Sequence, residues 1–171
     1  KFGIHGTNLS MREEKATHMQ YNLVCVSAEN IRQIYASAFD IDVAKVSALG
    51  VPRTDMYFDQ TVIKHKQDEI LEKYPKWKGK RIILYAPTFR DKNAKRSEFK
   101  PDIDFDDLSR RLGDNTVFII APHPVMTEKI LSKTYPNIQE IRDISTGDLM
   151  FVSDLMVTDY SSVIFEYALL N

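Results

Sequence analysis

The feature that most constrains the fold is a regular alternation of apolar strands with helical segments in the part of the chain that starts at Arg81. The strand segments are continuously apolar, which is typical of strands covered on both faces. Strands that alternate with helices in this way predict an α/β fold built on a parallel sheet. The predicted strands are 81–85, 116–121, 138–141 and 155–157, and the predicted helices are 105–112, 125–133, 146–152 and 162–170.

The amino-terminal part of the chain predicts a smaller group of elements. Apolar runs at 21–26 and 45–49 predict two strands, and the spacing of apolar residues predicts a helix over 29–39 between them. Pro52 then turns the chain, because proline cannot continue a helix. A further helix over 59–74 leads to the alternating region.

Composition excludes several classes of protein. A formal net charge of −1 gives no electrostatic basis for binding nucleic acid. No apolar run approaches the roughly 18 residues that a membrane-spanning helix needs. The single cysteine, Cys25, lies in an apolar run and is predicted to be a small buried residue. The histidines do not stand at metal-ligand spacing, so neither a metal nor another cofactor is predicted.

Polar residues follow the predicted strands directly. Ligands of parallel sheets bind beyond the carboxyl ends of the strands. The chain therefore predicts a ligand site at this edge of the sheet. The residues just after the strand ends are Thr88, Arg90, His123, Thr158 and Ser161.

The turn before the final helix reads Thr158-Asp159-Tyr160-Ser161-Ser162. Free backbone N–H groups at a helix start favour an anion, and two serines add hydroxyl donors without bulk. The pattern favours a phosphate-binding turn. The alternative is that Ser161 or Ser162 only caps the helix, as serine often does.

Arg90 and His123 are candidates for a catalytic role. The planar guanidinium of Arg90 suits phosphate oxygens. His123 lies between two prolines that stiffen its backbone, and its imidazole can donate a hydrogen bond or a proton to a leaving phosphate. The structural alternatives are a surface arginine and a core histidine satisfied by a carbonyl group.

Two acidic residues flank the terminal turn. Asp159 would repel a pyrophosphate, so we expect it to orient Arg90, His123 or the amides of the turn. Glu166 can accept hydrogen bonds from ribose hydroxyls, as acidic residues do at other nucleotide sites, and its alternative is a solvated helix face. For Arg53, contact with a ligand and a structural position in a turn are both open.

Four segments resemble, in the same order, the CDP-glycerol glycerophosphotransferases, the family of teichoic acid primases and polymerases. Each motif is short, but four in order at compatible spacings form a specific pattern that covers essentially the whole chain. The segments are Gly50–Asp55 (GVPRTD), Leu84–Arg90 (LYAPTFR), Pro122–Pro124 (PHP) and Asp154–Asn171 (DLMVTDYSSVIFEYALLN).

The resemblance implies a GT-B-like enzyme whose nucleotide-binding lobe has a Rossmann-type parallel sheet. Residues 51–171 would form this CDP-donor-binding lobe, and residues 1–50 would be the end of the preceding lobe or the crossover segment. The chain is accordingly expected to be a carboxyl-terminally truncated fragment of a longer enzyme, without transferase activity of its own.

The reaction implied by the resemblance is transfer of glycerol phosphate, or a related polyol phosphate, from CDP-glycerol to a lipid-linked wall teichoic acid-type acceptor, with release of CMP. The enzyme would act as a peripheral protein at the cytoplasmic face of the cell membrane, partly through regions outside this chain. The active-site histidine of the family matches His123. The implied donor- and phosphate-binding residues are Thr88, Thr158, Asp159, Ser161, Ser162, Glu166 and Arg53.

The catalytic base of the family belongs to a Trp-His motif that is expected before Lys1, and His5 is not expected to replace it. Two further functions stay open at this point. One is a GT-B glycosyltransferase or epimerase that uses a UDP-sugar. The other is a noncatalytic module that binds a nucleotide or a polymer. The sequence does not distinguish glycerol from ribitol, or primase from polymerase.

Overall fold

A computed structural model describes residues 16–88 and 101–170. The chain divides into two compact units, Lys1–Asp55 and Met56–Asn171, and each is described by itself.

The first unit is a small parallel βαβ arrangement. Strand β1 (Val24–Val26) pairs with β2 (Val46–Ala48), and helix α1 (Arg32–Phe39) connects them. Short 3-10 turns at Glu29–Ile31 and Val43–Lys45 flank the helix. The apolar core of this unit consists of the buried residues Val26, Ala36 and Val46.

The prediction that Cys25 is buried is wrong, because its side chain is exposed. Successive residues of a strand point to opposite faces. Val26 turns inward to the core and is buried, so its neighbour Cys25 turns outward. The apolar run around Cys25 indicated burial, but the two-stranded sheet buries one side of β1 only.

The second unit contains a sheet of four parallel strands among its described residues, in the order β5-β4-β3-β6. This confirms the predicted α/β fold with a parallel sheet. The elements are α2 (Gln60–Lys73), β3 (Arg81–Ala86), α3 (Phe105–Leu112), β4 (Thr116–Ile120), β5 (Ile138–Glu140), α4 (Thr146–Leu149), β6 (Leu155–Thr158) and α5 (Val163–Tyr167).

Each face of this sheet carries its own apolar layer, as the continuous apolar character of the strands predicts. On one face, Ile82, Leu84 and Ile119 pack with residues around α2 and α4. On the other face, Phe118 and Ile120 pack near α3. The sheet is therefore fixed from both sides, and the ends of its strands are positioned as one rigid edge.

The helices of this unit begin where polar side chains can cap them. The carboxylate of Asp59 accepts from the amides of Thr61 and Val62 at 2.8 and 3.3 Å, and α2 follows. Asp104 caps α3 in the same way. Helix α3 ends at Gly113, which has a positive φ of 67°, as its sequence position predicts.

The predicted helix over 125–133 is wrong, since this segment is irregular. Its backbone groups bond to side chains at the end of β5 and just after it. Glu140 Oε2 accepts from the amides of Ile130 and Leu131 at 2.9 and 3.1 Å. The guanidinium of Arg142 donates to the carbonyl oxygens of Met126 and Glu128. Contacts with residues distant in sequence therefore override the local helical pattern.

Candidate functional site

The order of the strands singles out one place along the carboxyl edge of the sheet. The chain proceeds from β3 to β4 to β5 in one direction and then returns to place β6 on the other side of β3. A parallel sheet opens a crevice where its strand order reverses, and ligands bind there. In this unit the reversal lies between β3 and β6, whose last residues Ala86 and Thr158 are directly paired.

The loops on either side of this reversal are joined by a hydrogen-bonded pair, Thr88 and Asp159. The carboxylate oxygen Oδ1 of Asp159 accepts from the amide of Thr88 at 2.9 Å and also from its hydroxyl. The Thr88 hydroxyl in turn accepts from the amide of Tyr160 at 3.0 Å. We name these two residues the Thr88–Asp159 latch. It couples two segments 71 residues apart in the sequence.

Asp159 was expected to orient turn amides or a basic side chain. The structure shows its carboxylate bound to the amide and hydroxyl of Thr88, across the reversal. Thr158, the last residue of β6, donates its hydroxyl to the carbonyl oxygen of Ala86 at 2.8 Å. Both residues thus hold the two loops in register.

The serines of the terminal turn lie between the latch and α5. Ser161 Oγ accepts from the amide of Val163 at 3.4 Å, which is long for a cap. Ser162 occupies the N-cap position of α5, and its side chain makes no cap hydrogen bond to the described helix. It is exposed. The capping interpretation therefore has weak geometric support at both serines.

His123 follows β4 and is exposed, whereas the preceding Pro122 is buried. The amide of Val125 points at Nδ1 of His123 at 3.3 Å. A donor at Nδ1 makes this nitrogen the acceptor, so the proton of the neutral ring resides on Nε2. His123 is thus arranged to offer an N–H through Nε2.

A cavity of about 440 Å³ opens beside His123, between the loop that follows β4 and the segment that follows β5. Both proline neighbours of His123 line it, together with the partly exposed Arg142. A space of this size falls within the range of small-molecule sites. It is lined by Ala121, Pro122, Pro124, Ile141, Arg142, Asp143, Ile144, Ser145 and Thr146.

Glu166, in the last turn of α5, is half-buried. Its Oε2 accepts from the hydroxyl of Tyr57 at 3.0 Å. The ribose-binding role and the solvated helix face both stay predictions for this residue.

Arg90, a predicted site residue, lies outside the described residues, and so does His5. Arg53 is exposed and belongs to the first unit, which is described separately. In residues 16–88 and 101–170, no group of three or more His, Cys, Asp or Glu side chains is arranged to hold a metal ion. Over the same residues, no helix has the length and apolar character needed to cross a bilayer.

Sequence reasoning missed three contributors to the site. Tyr57 was not singled out because a tyrosine next to a turn carries no motif by itself. Glu140 and Arg142 were missed because the segment they hold was predicted to be a helix. Their spacing of two residues at the end of a strand places both on one face, and that spacing is the signal that could have found them.

Comparison with known proteins gives a family-level match. The family model described as CDP-Glycerol:Poly(glycerophosphate) glycerophosphotransferase matches residues 2–171. The teichoic acid poly(ribitol-phosphate) polymerase of Bacillus spizizenii is 39% identical over 160 residues, which cover 90% of this chain and 26% of that protein.

Two solved structures of a wall teichoic acid polymerase, TagF, are similar in fold. One has a TM-score of 0.76 at 27% identity, and the match covers 93% of this chain and 40% of the TagF chain. The other, a TagF variant soaked with CDPG, has a TM-score of 0.74 at 26% identity. This match covers 98% of this chain and 42% of the TagF chain. The chain spans less than half the length of each of these proteins.

Proposed function

The chain belongs to the CDP-glycerol:poly(glycerophosphate) glycerophosphotransferase family, and on that premise we propose that the whole protein transfers a polyol phosphate from a CDP-activated donor to a teichoic acid-type acceptor. One observation carries this proposal within the chain. The Thr88–Asp159 latch fixes two family motifs together at the strand-order reversal, where a parallel sheet binds its ligand. The similarity to TagF supports a GT-B arrangement, with this unit as the donor-binding lobe.

In the proposed reaction a hydroxyl oxygen of the acceptor attacks the distal phosphorus of the donor. A new P–O bond forms, the bond between this phosphorus and the bridging oxygen breaks, and CMP leaves with the electron pair. The proton of the hydroxyl passes to a base outside the described residues. Such chemistry depends on positioning and charge stabilisation more than on covalent steps by the protein.

The described residues supply the donor side of this reaction. The Ser161 and Ser162 hydroxyls and the amides of the turn bind the pyrophosphate, and Thr88, Thr158 and Asp159 hold that turn in place. His123 donates from Nε2 to a phosphate oxygen and stabilises the charge that develops on the leaving group. From the family motif alone, Arg90 adds its guanidinium to the donor phosphates, and Arg53 is a further donor contact.

Glu166 binds the ribose hydroxyls of the donor. The acceptor is lipid-linked, so the whole protein works as a peripheral enzyme at the cytoplasmic face of the membrane. A ribitol donor is the second candidate, because the relative at 39% identity is a poly(ribitol-phosphate) polymerase.

Turnover of competing donors tests the proposal. The whole protein is incubated with a lipid-linked acceptor and with CDP-glycerol, CDP-ribitol or a UDP-sugar, and release of the nucleotide is followed. We expect acceptor-dependent CMP release from a CDP-polyol. Consumption of a UDP-sugar instead would favour a glycosyltransferase, and tight CDP-polyol binding without turnover would favour a binding module.

The role of the turn is tested by the double variant Ser161→Ala/Ser162→Ala. Because neither serine makes a strong cap bond, we expect a change in unfolding free energy below about 0.5 kcal/mol, the low end for a lost cap. Affinity for the CDP-polyol, measured by calorimetry, should fall at least about tenfold. The control is Ser153→Ala, which removes a hydroxyl at the opposite end of β6. Unchanged donor affinity with a clear stability loss contradicts the phosphate site.

A further inference from the structure

Tyr57 is anchored in the core of the second unit while its hydroxyl reaches the candidate site. The residue is 5% exposed. Its ring packs against Phe151 with 5.5 Å between ring centroids and a tilt of 31°. The hydroxyl donates to Oε2 of Glu166 at 3.0 Å, across 109 residues of sequence. The buried ring of Tyr57 thus directs its hydroxyl at the carboxylate of Glu166.

The helix that carries Glu166 is short, and this makes the contact consequential. Helix α5 comprises five residues, Val163–Tyr167. A glutamate side chain has several rotatable bonds, so a helix of little more than one turn does not fix its carboxylate. A hydrogen bond from an immobile, buried phenol selects one side-chain conformation.

We propose that Tyr57 is a positioning residue that holds the Glu166 carboxylate toward the ribose hydroxyls of the bound nucleotide. The inference rests on the proposed function, because it takes Glu166 as the ribose-binding residue. Tyr57 itself touches no reacting atom. Its hydroxyl sets the direction of Glu166 and so the preference of the site for a ribonucleotide over a 2′-deoxyribonucleotide.

The chain offers a matched pair of substitutions. Tyr57→Phe removes only the hydroxyl that holds Glu166 and keeps the buried ring. Tyr167→Phe removes the hydroxyl of the residue next to Glu166, which donates to the carbonyl oxygen of Ser153 at 3.1 Å. The first variant thus loses a hydrogen bond to the Glu166 carboxylate, whereas the second loses a hydrogen bond to a backbone carbonyl oxygen.

The readout is a ratio of affinities that general destabilisation does not change. CDP and 2′-deoxy-CDP are titrated into the whole protein by calorimetry, beside a thermal melt. We expect the wild type to prefer CDP by about tenfold, the size of one or two ribose hydrogen bonds to a charged group. Tyr57→Phe should reduce this preference to about twofold, and Tyr167→Phe should leave it unchanged.

A Glu166→Ala background separates positioning from other effects. There the preference for CDP is already lost, so adding Tyr57→Phe should change the ratio no further. If Tyr57→Phe melts early, the ratio measured on its folded fraction still decides. An unchanged ratio in Tyr57→Phe, or an equal loss in Tyr167→Phe, overturns the inference while the proposed function stands. If the wild-type protein binds neither nucleotide, the proposed function fails and the inference fails with it.

Discussion

Glu140→Gln should destabilise segment 125–133, which follows His123, far more than the removal of a typical surface charge would. Four contacts from donors converge on the two carboxylate oxygens of Glu140. Oε2 accepts from the amides of Ile130 and Leu131 at 2.9 and 3.1 Å. Oε1 accepts from the guanidinium of Arg142, at 2.7 Å from Nε and 2.5 Å from the second nitrogen. A glutamine side chain has one oxygen and one NH₂ group.

Whichever way the glutamine turns, its NH₂ group faces donors. If it faces the loop, two backbone amides lose their acceptor, and if it faces Arg142, a guanidinium loses its partner. The Glu140 side chain is 9% exposed, so water replaces these contacts poorly. An unsatisfied buried group costs about 1–3 kcal/mol, and breaking a buried ion pair costs more. Because Arg142 is 36% exposed, we expect about 2–3 kcal/mol in total.

The measurement is urea unfolding of wild type and variant, with hydrogen exchange at the amides of Ile130 and Leu131. The control is Asp107→Asn, which breaks the exposed pairs of Asp107 with Arg110 and Arg111. Such surface pairs contribute at most about 1 kcal/mol. Equal losses in the two variants, or unchanged exchange at both amides, would refute the reasoning that Glu140 holds this segment.

Two further predictions concern Tyr74 and Thr88. Burial and then the hydrogen bond to Asp143 raise the pKa of Tyr74 to about 12, so the unfolded chain loses this proton first, near pH 10. The stabilisation that comes from the raised pKa of Tyr74 is complete below pH 10 and is lost as the pH rises toward 12. Between these pH values the unfolding midpoint of the wild type should fall, and Tyr74→Phe should make this fall less steep. Parallel curves of midpoint against pH for the two proteins would contradict this. Thr88→Val should lower turnover at least about tenfold. The free energy of unfolding, measured with urea, should fall by less than about 1.5 kcal/mol. Normal turnover in this variant would show that the latch does not position the turn.

Much of the second unit could be predicted from sequence because its strands are covered on both faces. Continuous apolar runs such as 81–85 and 116–121 leave few alternatives to a buried strand, and the structure has strands there. Helix α3 was predicted with both ends correct, since Gly113 marks its carboxyl end. Cys25 was misjudged because apolar neighbours alone do not reveal which face of a strand is covered.

The candidate site was predicted as a position but not as a set of contacts. Parallel strands bring their carboxyl ends to one edge of the sheet whatever the strand order. The alternation of strands and helices along the chain is therefore enough to predict that ligands bind at this edge. The partners of Asp159 and Glu166 depend on which strand returns beside β3, and that order leaves no local signal. The segment after His123 escaped prediction for the same reason, because residues from β5 onward hold it.

The strand order also explains why the latch uses a carboxylate at a site proposed for phosphates. At the reversal, β3 and β6 are neighbours, and side chains link the residues that follow them. Asp159 provides it by accepting both hydrogen bonds that Thr88 donates to it. Its negative charge is thereby directed at donors of the β3 loop. The amide of Tyr160 is drawn to the Thr88 hydroxyl at the same time. In the proposed function, the serines that follow supply the hydroxyl donors for the phosphates.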